Sequence, residues 1–208
     1  MSVRILIAED HLMFAELCKR FLEPEFNVIG IVDNGQAMVR EALKSRPNVI
    51  LVDVSMPILN GLDAGQQVKK VCPAIKLIYL TANADPELAA EAFRRGGSGY
   101  IVKSCAASEL PIAVREVLRG KSYLSSNISR DRVDFLRLEH SCDVQLSPRQ
   151  REVLQLLVEG KQMKEVGSIL KMTTRTVAFH KYRMMEQLGA KNNVDLFRYA
   201  VRNKMIAA

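Results

Sequence analysis

Five short apolar runs, at residues 3–8, 26–32, 49–52, 77–80 and 99–102, recur through the first half of the chain and limit what it can fold into. They are rich in β-branched residues and, Arg4 and Asn27 aside, apolar at successive rather than alternate positions. Such strands bury both faces, the pattern of a parallel sheet sandwiched between helices. The intervening segments have helical spacing, as in Leu12, Phe14, Ala15, Leu17, Cys18, Phe21 and Leu22, and again over 36–45, 62–72, 86–95 and 107–120. Five β/α units in this order predict a doubly wound, five-stranded α/β domain over residues 1–120.

The rhythm lapses after Lys121. Residues 121–143 carry Ser122, Ser125, Ser126, Asn127 and Ser129, then a short helical piece with Val133, Phe135, Leu136 and Leu138, and are read as a linker. From residue 144 to 208 the pattern is helical only, predicting an all-α, four-helix second domain. Ser147-Pro148 opens its first helix, with serine as N-cap and proline at the first helical position, and Gly160 closes it. Charge divides in the same place. Residues 143–208 hold 12 Lys and Arg against 6 Asp and Glu, a net of +6, whereas residues 1–142 have a net of +1. That asymmetry predicts an anionic partner for the second domain, nucleic acid first among the candidates.

No apolar run approaches the roughly 20 residues of a membrane span, and no signal-peptide core precedes the first strand, so the expectation is a cytoplasmic protein without membrane contact. Cys18, Cys72, Cys105 and Cys142 are scattered, with no metal-site spacing.

In an open parallel sheet, ligands bind beyond the carboxyl ends of the strands. There the sequence places Glu9 and Asp10 after the first strand, Asp53 ending the third, Thr81 after the fourth and Lys103 after the fifth. Three converging carboxylates repel one another unless a cation intervenes, and an all-oxygen set suits Mg²⁺. Asp53 is the best-placed nucleophile toward phosphorus. Lys103 and the metal counter the charge of a transferring phosphoryl group, and the Thr81 hydroxyl donates to it.

The segments Ile7-Ala8-Glu9-Asp10-His11, Val52-Asp53-Val54-Ser55-Met56-Pro57, Gly61, Leu80-Thr81-Ala82 and Tyr100-Ile101-Val102-Lys103 resemble the receiver domains of two-component response regulators. The resemblance implies Asp53 as phosphoacceptor, with Glu9, Asp10, Asp53 and the Ser55 carbonyl around Mg²⁺. It implies Thr81 and Tyr100 as a switch pair, the ring turning inward behind the hydroxyl. Two residues depart from the common pattern: Glu9 stands where aspartate is usual, and Ser104 follows Lys103 where proline is frequent. A phosphatase of the haloacid dehalogenase kind would need a second aspartate two residues after the nucleophile, where this chain has Ser55.

The second domain, with Leu146-Ser147-Pro148-Arg149-Gln150-Arg151-Glu152-Val153-Leu154, Gly160, Lys164-Glu165-Val166, Ile169-Leu170, Thr176-Val177, His180 and Leu188-Gly189, resembles the LuxR-type helix-turn-helix of NarL/FixJ regulators. Residues 174–188 form its second helix, with Val177, Met184, Met185 and Leu188 toward the core. Arg175, Thr176, Phe179, Lys181, Tyr182 and Arg183 are the expected DNA contacts. Relatives often have lysine where this chain has Ala178 and Tyr182. The last helix, with Val194, Leu196, Phe197, Tyr199, Ala200 and Val201, is where the family commonly dimerises.

The resemblance thus implies a transcription regulator whose only catalysis is its own phosphorylation and dephosphorylation. A sensor histidine kinase phosphorylates Asp53 and thereby controls homodimerisation and binding to double-stranded DNA. The alternative is a phosphorylation-independent DNA-binding protein whose receiver is only an interaction module.

Overall fold

The apolar runs do become parallel strands. A computed structural model describes residues 2–138, 146–203 and 205; residues 139–145, where the expected linker ends and the second domain begins, and Cys142 among them, lie outside the described residues. The chain divides into two compact units, Met1–His140 and Ser141–Ala208.

In the first unit, β1 (Arg4–Ala8), β2 (Asn27–Val32), β3 (Val49–Asp53), β4 (Lys76–Thr81), β5 (Gly99–Val102) and β6 (Tyr123–Leu124) form one sheet in the order β2-β1-β3-β4-β5-β6. All adjacent pairs are parallel. The side chains alternate between two buried layers, as strand geometry requires. Ile5, Ile7, Val49, Leu51, Ile78, Leu80 and Ile101 pack with α1 (Leu12–Leu22) and α5 (Ala106–Leu118). Leu6, Ala8, Ile50, Val52, Leu77, Tyr79 and Tyr100 pack with α2 (Gly35–Ser45), α3 (Gly61–Val71) and α4 (Pro86–Arg94). Strand order reverses between β1 and β3, which opens the crevice where Asp53 ends β3.

The five-stranded sheet expected from the sequence has a sixth strand, and the expected linker begins later than Lys121. Tyr123 and Leu124 pair with Gly99 and Tyr100, extending the sheet past β5. They are followed by α6 (Arg130–Leu138), which packs against α4, with Ile128 and Val133 buried in the same layer as Leu88 and Phe93. The physical reason lies on α5. The buried Glu109 carboxylate accepts from the Ser125 hydroxyl, and its Oε1 accepts from Ser126 N at 3.0 Å and Ser126 Oγ at 2.7 Å. Polar residues that read as solvated linker are therefore clipped to a helix.

The second unit is helical as expected: α7 (Pro148–Val158), α8 (Met163–Leu170), α9 (Thr174–Leu188) and α10 (Asn193–Arg202). Ser147 and Gln150 form a capping box at α7, and Gly189 ends α9 in the left-handed region at φ 63°. Val153, Leu154, Leu156, Val166, Val177, Met184, Leu196 and Ala200 make its core. A side chain at Gly167 would meet the Met172 carbonyl at 2.7 Å, so glycine there lets α8 approach the turn into α9.

Candidate functional site

At the carboxyl end of the sheet the backbone delivers each pocket residue predicted. Glu9 and Asp53 are buried, Thr81 is buried at the end of β4, and Asp10 is exposed at the pocket mouth. Lys103 reaches in from the turn between β5 and α5. Its Nζ donates to Glu9 Oε1 at 2.9 Å and lies 2.7 Å from Glu9 Oε2 and 3.2 Å from Asp53 Oδ1. Glu9, one methylene longer than aspartate, thus meets the lysine directly. No cis peptide bond occurs among the described residues, so the lysine is placed without one.

Burial and then the nearby Glu9 charge push the Asp53 carboxyl up to about 6, against the opposing pull of Lys103 and the Ser55 N–H. For Lys103, burial works the other way, but the hydrogen bond to Glu9 and the charges of Asp53 and Glu9 win and hold its ammonium above the ordinary value. The pocket therefore carries one cation for three acidic groups, a deficit that a divalent ion would fill. Ligand atoms of Glu9, Asp10, His11 and Asp53 all lie within 4.8 Å of one another, an arrangement compatible with Mg²⁺.

Three features of the pocket were not assigned roles from sequence. His11 Nδ1 stands 2.9 Å from Asp10 Oδ1 and 3.2 Å from Glu9 Oε1. The Lys103 ammonium lies 5.0 Å over the Phe14 ring, a cation–π contact. In the loop beyond β3 that carries Ser55, Ile58 adopts φ 69°, strained for a β-branched residue. None carries a spacing motif; His11 was visible only as the neighbour of Asp10. Gly61, by contrast, stood in the motif, and a Cβ there would come within 2.0 Å of the Asp53 carbonyl oxygen.

Tyr100 is fully buried on β5. Its hydroxyl lies near Thr81 without completing a hydrogen bond of good geometry.

In the second unit, α9 presents Arg175, Phe179, Tyr182 and Arg183 to solvent, as the sequence predicted. Thr176 is half-buried, its hydroxyl 2.8 Å from that of the N-cap Thr173. Lys181 differs from expectation. It stands one turn after Val177, on the side of the helix that carries the core residues, and is half-buried. Lys164, Ser168, Lys171, Thr173 and Thr174 line a shallow groove of about 420 Å³ where α8 turns into α9. The two lysines beside the amino-terminal end of α9 add to an anion-attracting surface.

Residues 5–115 match the response regulator receiver domain family, and residues 144–200 match the bacterial regulatory proteins of the luxR family. The chain is a NarL/FixJ-family response regulator. The regulator is 31% identical over 211 residues to the transcriptional regulatory protein LiaR of Bacillus subtilis, a match covering 98% of this chain and 99% of that protein. It is 29% identical over 215 residues to the oxygen regulatory protein NreC of Staphylococcus haemolyticus, covering 98% and 99%. Among solved structures it resembles the RcsB response regulator of Salmonella typhimurium, with a TM-score of 0.63 and 26% identity over 95% of this chain and 96% of that one. RcsB from Salmonella enterica serovar Typhimurium, bound to promoter rprA in the presence of the phosphomimetic BeF3⁻, matches with a TM-score of 0.54 and 27% identity, covering 95% and 97%. The regulator is a DNA-binding transcription regulator of a two-component system. No helix among the described residues is long and apolar enough to cross a membrane.

Proposed function

We propose that a sensor histidine kinase phosphorylates the regulator on Asp53, and that the acyl phosphate favours homodimerisation and binding to double-stranded DNA in the cytoplasm. The observation that carries this reading is a buried Asp53 at the strand-order reversal, held against Lys103 and facing Glu9 and Asp10. The Asp53 oxygen forms a bond to phosphorus as the bond from phosphorus to the donor breaks. Lys103 moves from Glu9 and Asp53 to the phosphoryl oxygens, and the Thr81 hydroxyl donates to another. Glu9, Asp10, Asp53 and the Ser55 carbonyl are the residues that would hold Mg²⁺. When bound, Mg²⁺ would counter negative charge on the transferring group. Displacing Thr81 toward the phosphoryl group changes what the buried Tyr100 can pack against, and β5, which carries Tyr100, also holds β6 and the start of the segment leading to the second unit. On that unit, Arg175, Phe179, Tyr182 and Arg183 form the exposed DNA face, flanked by the half-buried Thr176 and by the long Lys181 side chain reaching round from the core side. Val194 and Phe197, exposed one turn apart on α10, supply the apolar surface for dimerisation.

The charge of the site makes the metal testable. Asp10→Ala, or addition of a chelator, is expected to slow phosphoryl uptake from acetyl phosphate at least tenfold, read by mass spectrometry; an unaltered rate would take the metal out of the mechanism.

The full reading is tested by sedimentation and DNA titration with and without acetyl phosphate. The dimer fraction and DNA affinity should rise together, by a finite factor set by the differential affinity of the phosphoryl group for the two states. Affinity should fall steeply with added salt as phosphate contacts release counterions, and Arg183→Ala should weaken binding by about 1–3 kcal/mol if it makes a bidentate base contact. Equal dimer fractions and affinities in the two states would instead favour regulation that does not depend on phosphorylation.

A further inference from the structure

The outer face of α9 holds two large aromatic side chains in solvent. Phe179 is 58% exposed and Tyr182 is 64% exposed, while Val177 and Met184 on the opposite face of the same helix are 0% exposed. Positions 175, 179, 182, 183 and 186 form one stripe along the helix, and all five are exposed. The aromatic pair occupies its middle, with Arg175 one turn before Phe179 and Arg183 one turn after. The ring of His180 meets that of Phe179 edge-on, centroids 5.7 Å apart and planes at 70°, which restrains how the exposed ring can turn.

We propose that Phe179 and Tyr182 read thymine methyl groups in the DNA major groove, and so set the sequence preference of this regulator at the bases beneath the centre of α9. This rests on the DNA-binding reading and deepens it. A phenyl ring has no donor or acceptor and cannot answer the polar pattern of a base edge. The apolar feature that the major groove offers is the thymine C5 methyl group. Arg175 and Arg183 frame the pair, suited to guanine edges or phosphates on either side. The charge of the stripe selects the occupant. The stripe carries Arg175 and Arg183 against one acid, Glu186 at its carboxyl end, and Lys181 adds a further cation to the helix, so a second copy meeting this face would bring an excess of like charges together, whereas DNA brings phosphates.

The test begins with the full chain and a pool of randomised duplexes, from which repeated binding selects a preferred sequence. That duplex is then remade with deoxyuridine replacing thymine at one position at a time, which removes a single methyl group and leaves every hydrogen bond intact. The wild-type regulator is expected to lose affinity about fourfold at one or more positions in each half-site, the factor for one buried methyl-sized group. In Phe179→Ala the loss should vanish at one of these positions, and in Phe179→Leu, which keeps an apolar side chain, it should remain. Wild-type affinity indifferent to every thymine-to-uracil change would overturn the proposal, as would a Phe179→Ala variant that keeps all the losses. If no duplex in the pool bound at all, the DNA-binding reading itself would fall, and this one with it.

Discussion

Asp53→Asn is expected to abolish the mass increase of about 80 Da that acetyl phosphate produces and, at neutral pH without divalent ions, to stabilise the first unit by up to about 3 kcal/mol. Loss of phosphorylation follows from removing the nucleophile. The gain in stability follows from what the folded pocket does to the native carboxylate. Burial and Glu9 raise the Asp53 carboxyl from an ordinary 3.8 to about 6, so the folded state holds its proton more tightly than the unfolded chain. Folding is then disfavoured as pH rises from about 4 through about 6, by about 1.4 kcal/mol for each unit of the difference. Asparagine carries no such charge, yet keeps an oxygen that can accept from Lys103. The stability difference between the variant and the wild type should therefore grow between pH 4 and pH 6 and stay level above it. Adding Mg²⁺ should shrink it, since an ion that binds the folded wild-type pocket stabilises that protein alone. Urea unfolding at pH 5 and pH 7.5, with and without Mg²⁺, measures all of this. A difference independent of pH would mean that the pocket does not load Asp53 as its geometry implies.

The strands were legible because burial on both faces leaves a continuous apolar signal, as in Val49 to Val52, and the pocket because its residues fall at strand ends, where chain order already names their neighbours. The strand β6 and the attachment to the first unit of the helical piece after it escaped for the opposite reason. Tyr123 and Leu124 make a strand of two residues, too short to display a period, and the Ser125 and Ser126 that follow look like solvated loop until Glu109 is brought beside them. The partner sits 16 residues back, on α5, where Glu109 reads as an ordinary first-turn acid. On α9 the apolar spacing identified the core side through Val177 and Met184. Lys181, one turn after Val177, is half-buried, which its charge alone does not reveal, since a long side chain can bury its stem and still carry its ammonium to water. The cation–π contact of Lys103 with Phe14 joins residues far apart in sequence and has no local signature at all.

Glu109→Ala is expected to free the β6–α6 segment, lowering its local stability by about 3 kcal/mol and speeding amide hydrogen exchange over residues 123–134 roughly 100-fold. β6 is held to the sheet by few bonds: Tyr123 N donates to the Ser98 carbonyl at 3.0 Å and Ser125 N to the Tyr100 carbonyl at 2.9 Å. What makes so short a strand persist is the carboxylate behind it, where three donors from Ser125 and Ser126 converge. Ser125 Oγ in turn accepts from Val102 N at 3.3 Å, so the same hydroxyl ties the segment to β5 as well as to α5. Without Glu109 the two hydroxyls and the Ser126 N–H lose their acceptor, and a buried donor left unsatisfied is more destabilising than a formed bond is stabilising. Glu109→Gln keeps one acceptor oxygen and should fall between the two. The effect should reach Val133, whose buried side chain packs in the layer of Leu88 and Phe93, because α6 begins only four residues after Ser126. Exchange confined to residues 123–126 would show instead that α6 is held by its apolar contact with α4 alone, and that the carboxylate fastens nothing beyond the strand.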